Sequence, residues 1–168
     1  MVAAIGAPVL VLSACASDPR EGYSFSKTFA DDIHTVHVPI FENTTFSRGI
    51  EVELSDAIVK EIQRSTPWRI STGERSSATL SGEITDSSMR TISVARDSGL
   101  VQELAVTITV DFEFIDNRTG KLIAGRKSFS ASDTFVPALG VGDRMETGEN
   151  ATIQRLARDI VAELRSVW

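Results

Sequence analysis

The sequence predicts an α+β fold, a two-layer domain in which two amphipathic helices pack on one face of a mostly antiparallel sheet of four to five strands. Three features support this prediction: a long stretch that alternates apolar and polar residues, two apolar stripes at helical spacing, and a chain of 168 residues that is 42% apolar. Such a chain forms one globular domain with a sizeable core. Two stacked layers bury both helix stripes against one sheet face.

The individual elements follow from hydrophobic periodicity. Strands are predicted at residues 33–41, 68–71, 78–95, 104–114 and 121–135. Helices are predicted at residues 48–64 and 151–168. The order is therefore strand, helix, four strands, helix, and the strand before the first helix is the one placed to pair in parallel. Irregular features are expected as a bulge around Ser87 and Ser88, a turn at 116–120, and a Gly-rich loop around Gly140 and Gly142.

Composition excludes several classes of function. Lys and Arg total 17 and Asp and Glu total 23, so the formal net charge is −6. An acidic chain lacks the basic surface from which nucleic-acid binding draws its affinity, so no nucleic-acid partner is predicted. The single cysteine excludes an internal disulfide, and two histidines supply no ligand set for a structural zinc ion. No run of about 18 apolar residues is present, so no membrane-spanning helix is predicted. No cofactor is predicted.

The amino-terminal segment has the pattern of an export signal. Residues 1–14 are uncharged and mostly apolar, and Leu12, Ser13 and Ala14 precede Cys15, the only cysteine. This pattern resembles the lipobox of bacterial lipoproteins. The resemblance implies cleavage before Cys15 and acylation of that residue with fatty chains such as palmitate, which hold a protein at a membrane when there is more than one chain. The alternative is an ordinary secretory signal followed by an incidental thiol.

Domain organisation follows from that pattern. Residues 1–14 are the predicted signal peptide, 15–32 the lipidated cysteine and a polar tether, and 33–168 the folded domain. In the lipoprotein sorting pattern, Asp after the cysteine retains the protein at the inner membrane, whereas this chain has Ala16. We therefore expect the chain at the outer membrane, on the periplasmic side.

Several segments of the mature chain together resemble a known family. They are Gly22 and Tyr23, the run Val38–Thr45, the alternating Ala78, Leu80, Gly82 and Ile84, the turn Asp116–Gly120, and a last helix that ends at Trp168. In this order, and after a lipobox, they are similar to the LPS-assembly lipoprotein family (LptE-like). The resemblance implies a lipid-anchored outer-membrane protein, without catalysis, that forms a complex with a large β-barrel LPS-assembly protein. It also implies that the chain partly fills the barrel lumen and helps place lipopolysaccharide in the outer leaflet.

Enzymatic chemistry has little support in the sequence. His34 and His37 are three positions apart on a predicted strand, so they point to opposite faces and share neither a metal nor a proton relay. No serine lies in a Gly-x-Ser-x-Gly elbow, and no catalytic or metal-binding residue is predicted. An anchored hydrolase is therefore the weakest of three alternatives. The second is an anchored lipoprotein that binds a cell-wall component or small ligand without a barrel partner.

Basic side chains are the predicted lipopolysaccharide ligands, because Arg holds phosphate groups through paired hydrogen bonds. Arg90 and Arg96 share a face with the aliphatic residues between them if the strand is regular over that stretch. Arg126 and Lys127 lie midway along the neighbouring returning strand. The alternative is that all four are solvated charges that protect a sheet edge. The polar face of strand 104–114 would suit the hydrophilic lumen of a barrel, as it would suit any solvated domain.

Overall fold

A computed structural model describes residues 33–73, 75–94, 96, 101–136 and 142–166. The predicted signal peptide, Cys15 and the tether lie outside the described residues. The elements are β1 Thr35–His37, β2 Glu42–Asn43, α1 Ile50–Ser65, β3 Arg69–Ile70, β4 Ala78–Val94, β5 Val101–Asp116, β6 Leu122–Phe135 and α2 Gly142–Ser166.

The α+β class is confirmed, but the sheet differs from the prediction in strand number and direction. Among the described residues it has six strands, in the order β3-β1-β4-β5-β6, with β2 also paired to β4. Only β4 with β5 and β5 with β6 are antiparallel, whereas β1 runs parallel to both β3 and β4, and β2 runs parallel to β4. The sheet is therefore mixed. The predicted parallel pairing of the strand before α1 is confirmed, and α1 supplies the crossover that β1 and β3 require.

The predicted first strand, 33–41, is shorter in the structure: β1 covers only Thr35–His37, and a separate strand, β2, follows at Glu42–Asn43. β1 ends at His37, and Pro39 follows, which has no backbone N–H to give to a ladder. Phe41 then turns inward and is buried, and its N–H donates to the Ser55 hydroxyl at 3.0 Å instead of to a strand. β2 resumes pairing at Glu42, which lies opposite Glu83 of β4.

The core lies between the sheet and both helices. Alternate residues of β5 are buried, as predicted from its periodicity: Val106, Ile108, Val110, Phe112 and Phe114. The helices contribute Leu54, Ile58 and Ile62 from α1 and Ile153, Leu156, Ile160 and Leu164 from α2. Burying each such side chain contributes about 1.5–3 kcal/mol. These residues form one hydrophobic cluster, so both helices pack on the same sheet face.

The two helices differ in how well their bounds were predicted. α1 covers Ile50–Ser65, close to the predicted 48–64, and the Thr66 N–H closes it by donating to the Ile62 carbonyl at 3.0 Å. α2 begins at Gly142, not at Ala151. The prediction was wrong because residues 142–150 contain a single large apolar residue, Met145, so the sequence shows no apolar stripe before Ala151. Gly142 of the predicted Gly-rich loop is therefore helical, and Gly140 lies outside the described residues.

The long strand β4 is irregular in places that the sequence did not indicate. Its register with β5 shifts between Ile84 and Asp86, earlier than the bulge expected around Ser87 and Ser88. An extra residue reverses which face the following side chains occupy. Ser87 consequently lies opposite buried Ile108, on the helix face, and Arg90 lies opposite Ala105, on the open face.

The β5–β6 turn matches its prediction. One Asp116 carboxylate oxygen accepts from the Arg118 N–H at 2.8 Å and the other from the Thr119 hydroxyl at 2.7 Å. The Gly120 N–H donates to the Asp116 carbonyl at 2.8 Å. Hydrogen bonds from Thr119 first, then from Arg118, hold the pKa of Asp116 below its usual value. The aspartate thus fixes the turn in its charged form.

Candidate functional site

The end of the β4–β5 hairpin combines exposed apolar side chains with cations. We use "hairpin end" for the described residues from Met89 to Arg96 together with Val101. Its exposed apolar residues are Met89, Ile92, Val94 and Val101. Arg90 and Arg96 are exposed beside them, and neither forms an ion pair with any residue that the structure describes. A segment that carries both exposed apolar side chains and exposed arginines can bind a ligand that has both acyl chains and phosphate groups.

Arg90 and Arg96 do not lie on one regular strand. The β4–β5 register shifts between Thr91 and Ser93 and again between Ser93 and Val94. The alternation of faces that would have aligned the two arginines is therefore interrupted. Arg90 lies on the open face within β4, whereas Arg96 follows the last residue of that strand. Both arginines nevertheless belong to the same end of the hairpin.

Arg126 and Lys127 lie far from the hairpin end. Their strand, β6, neighbours β5 and not β4. Arg126 pairs with Phe112, whereas the residue of β6 level with Arg90 is Thr134, because both face Ala105 of β5. Eight positions along a strand span roughly 26 Å at about 3.3 Å per residue. The structure therefore does not bring the four predicted cations together.

The surroundings of Arg126 and Lys127 are acidic. Arg126 forms an ion pair with Glu163 of α2. Both cations also line a cavity of about 590 Å³ on the sheet. The carboxylates that line the same cavity are Glu42, Glu83, Asp111 and Glu113. Four carboxylates against two cations disfavour a phosphate-bearing ligand at this place.

The histidines occupy structural positions. His34 is exposed and precedes β1. The Nδ1 atom of His37 lies 3.2 Å from the backbone carbonyl oxygen of Ser71, so this contact is with the backbone of the serine and not with its hydroxyl group. In the ranges that the structure covers, no group of three or more His, Cys, Asp or Glu side chains could hold a metal ion. No described helix is both long and apolar enough to cross a membrane.

Fold and surface together define a small α+β domain that presents a polar sheet face and an amphipathic hairpin end. The family model for lipopolysaccharide assembly, LptE, matches residues 33–166, and the chain belongs to this family. The resemblance noted in the sequence is thereby confirmed. The sequence matches none of the curated proteins with which it was compared.

Solved structures share the fold at low sequence identity. A hypothetical protein of Chlamydia trachomatis has a TM-score of 0.56 and 16% identity over 80% of this chain and 97% of its own. The rare lipoprotein B of Shewanella oneidensis has a TM-score of 0.51 and 12% identity over 79% of this chain and 95% of its own. A putative lipoprotein of Caulobacter crescentus has a TM-score of 0.50 and 14% identity over 75% of this chain and 88% of its own. These likenesses show the fold alone.

Two exposed features escaped the sequence analysis. Val101 extends the apolar surface of the hairpin end, but it precedes the predicted start of its strand, so the alternation pattern did not include it. Phe46 is fully exposed in the segment between β2 and α1, where the sequence predicts neither a strand nor a helix. The sequence signal that could have indicated this exposed ring is a single phenylalanine among threonine, serine and arginine residues.

Proposed function

We propose that the chain is an outer-membrane lipoprotein, anchored through Cys15, that partners with and plugs a β-barrel translocon and helps place lipopolysaccharide in the outer leaflet. It does so by binding, without catalysis. The observation that carries this proposal is membership of the lipopolysaccharide-assembly family over residues 33–166.

The open sheet face supports a role inside a barrel. Both described helices cover the other face, and this one carries Thr107, Thr109, Asp111 and Glu113 from β5. The Thr107 hydroxyl donates to the Ser132 hydroxyl of β6 at 3.1 Å, so polar groups continue onto the next strand. The lumen of a β-barrel is polar. A sheet face of this composition can therefore lie inside a lumen without exposing apolar side chains to the water there.

The hairpin end is the proposed contact for lipopolysaccharide. Arg90 and Arg96 supply guanidinium groups that form no ion pair with the described residues and that can hold the lipid A phosphates, and the exposed apolar residues of the same hairpin end can contact acyl chains. Arg126 and Lys127 remain candidates only in a second position, because Glu163 and the cavity carboxylates already face them.

Replacing Arg90 and Arg96 together with alanine should weaken lipopolysaccharide binding by about tenfold or more. Each exposed cation–phosphate contact contributes up to about 1 kcal/mol, and 1.4 kcal/mol corresponds to tenfold. The measurement is binding of lipopolysaccharide to the purified chain in detergent at two salt concentrations. The comparison is the double variant Arg126→Ala with Lys127→Ala, which removes the same charge at the second position and should weaken binding less than twofold, because carboxylates already face these two cations. If this second double variant weakens binding and the first variant does not, the hairpin end is the wrong site.

The barrel partnership is tested by purification from membranes. Cells that express the full chain are labelled with palmitate, their membranes are solubilised in mild detergent, and the chain is isolated. We expect label on the chain and a stoichiometric β-barrel protein of much larger mass. Labelled chain without a barrel would instead favour an anchored ligand-binding lipoprotein, for which the cavity of about 590 Å³ has an adequate size. An unlabelled chain would contradict the anchor at Cys15.

A further inference from the structure

The segment between β2 and α1 holds an aromatic side chain entirely in solvent. Residues 44–49 make this connection, which we call the β2–α1 loop. Phe46 has a relative exposure of 104%, the highest among the exposed large apolar residues. Its ring therefore contributes nothing to the core. Singly exposed apolar residues are ordinary on protein surfaces, so the conformation of the loop decides whether this one has a use.

Asn43, the last residue of β2, organises the loop that follows it. Its side-chain N–H groups donate to the Ser47 carbonyl at 2.6 Å and to the Glu51 carboxylate at 2.7 Å. Its side-chain oxygen accepts from the Thr45 N–H at 2.9 Å and from the Thr45 hydroxyl at 2.7 Å. Three of these four hydrogen bonds hold Thr45 and Ser47, the residues on either side of Phe46, and the fourth ties the loop to α1.

The loop is also tied to the sheet and to α1. The Thr44 N–H donates to the Ile84 carbonyl of β4 at 3.1 Å. At the other end, Gly49 has φ 96°, a conformation that glycine adopts readily, and its N–H donates to the Glu51 carboxylate at 3.0 Å. Hydrogen bonds from the backbone N–H of Glu51 itself and from Asn43 lower the pKa of Glu51, so the carboxylate stays charged.

The hydrogen bonds that fix the β2–α1 loop also hold the exposed Phe46 ring in one place, which favours docking on a partner. Association costs less free energy when the contacting segment is already held in one conformation. Aromatic side chains that enter a pocket dominate the energy of many protein interfaces. We infer that Phe46 anchors the chain in an apolar pocket of its β-barrel partner, an inference that rests on the proposed function.

The charges that flank the β2–α1 loop in the sequence favour a protein pocket over a lipid surface. Between residues 42 and 56 the acidic residues are Glu42, Glu51, Glu53 and Asp56, and Arg48 is the one cation; of these carboxylates, Glu51 accepts hydrogen bonds from the Asn43 side chain and the Gly49 N–H. An anionic bilayer or a lipid A headgroup repels such a surface. A pocket in a protein accepts the ring and can present cations to the surrounding carboxylates.

The test compares two alanine variants in the full, anchored chain, each isolated from detergent-solubilised membranes with the barrel quantified. Phe46→Ala should reduce the recovered barrel at least tenfold. Leu122→Ala removes another exposed apolar side chain, 53% exposed at the start of β6, and should change recovery less than twofold. Phe46→Ala should not shift the melting temperature of the chain, because its ring is fully exposed, and Leu122→Ala should lower it only slightly, because about half of that side chain is exposed. Recovery that is unchanged in Phe46→Ala overturns the inference.

A contact readout separates docking from an indirect effect. Phe46 is replaced by the photoreactive analogue benzoylphenylalanine, and cells are irradiated. An adduct between the chain and the barrel supports the inference, whereas an adduct at twice the mass of the chain, a lipid adduct or no adduct overturns it. If the wild-type chain recovers no barrel, the proposed function fails together with the assigned occupant. If the wild type recovers it and Phe46→Ala does so equally, only the inference fails.

Discussion

Replacing Gly82 with alanine is expected to lower the free energy of unfolding by about 3 kcal/mol, near the upper end for overpacking in a core. A Cβ atom at position 82 would lie 2.6 Å from the Asp111 carbonyl oxygen of the neighbouring strand and 2.9 Å from Cδ1 of Phe41. One of these contacts is backbone, so it cannot be relieved by a rotamer change. Urea unfolding of the purified chain measures the loss.

Phe41 cannot readily yield the space. Its ring is buried, and its N–H donates to the Ser55 hydroxyl inside α1. Moving the ring would therefore disturb the contact between α1 and the strand that precedes it. Ser81→Ala is the matched control, because Ser81 adjoins Gly82 and points to the opposite face; its cost should be within about 0.5 kcal/mol. Equal unfolding midpoints for both variants would show that the sheet accommodates a methyl group at position 82.

Sequence periodicity predicted the parts of the fold in which one face of an element is buried. The alternation of β5, the stripe of α1 and the turn after Asp116 each have a single buried or hydrogen-bonded side, and the structure shows them where they were expected. Periodicity did not predict helix starts or bulges in elements whose apolar pattern covers only part of their length. The first half of α2 is polar, and the bulge in β4 shows no change in composition.

The candidate site was harder to predict because it depends on which strands are neighbours. The sequence predicted Arg90 and Arg126 as parts of one ligand site without a register between their strands, but β5 lies between β4 and β6 and the register separates the two residues along the sheet. The ion pair of Arg126 with Glu163 joins residues far apart in the chain, on β6 and α2. No local pattern contains that information. The exposure of Phe46 likewise depends on hydrogen bonds to Asn43 that a sequence does not reveal.

Phe112→Ala should lower the free energy of unfolding by about 4 kcal/mol, the typical cost of deleting a buried aromatic ring. Phe112 is 1% exposed and lies in the middle of β5, between Gly82 of β4 and Arg126 of β6. Its ring meets that of Phe129 edge to face at a centroid distance of 5.5 Å. The cavity left by its removal cannot collapse easily, because strands flank it on both sides and both helices cover the face.

Phe46→Ala deletes the same atoms and should cost less than about 0.5 kcal/mol in the same measurement, because that ring leaves water in neither the folded nor the unfolded chain. The two variants therefore separate folding from binding. Phe112→Ala should lose barrel recovery only as far as it unfolds, and a ligand or temperature that restores the fold should restore recovery. Phe46→Ala should lose barrel recovery with the fold intact. A Phe46→Ala chain that unfolds as readily as Phe112→Ala would mean that the ring is packed, and its place in the β2–α1 loop would then be explained by stability rather than by docking.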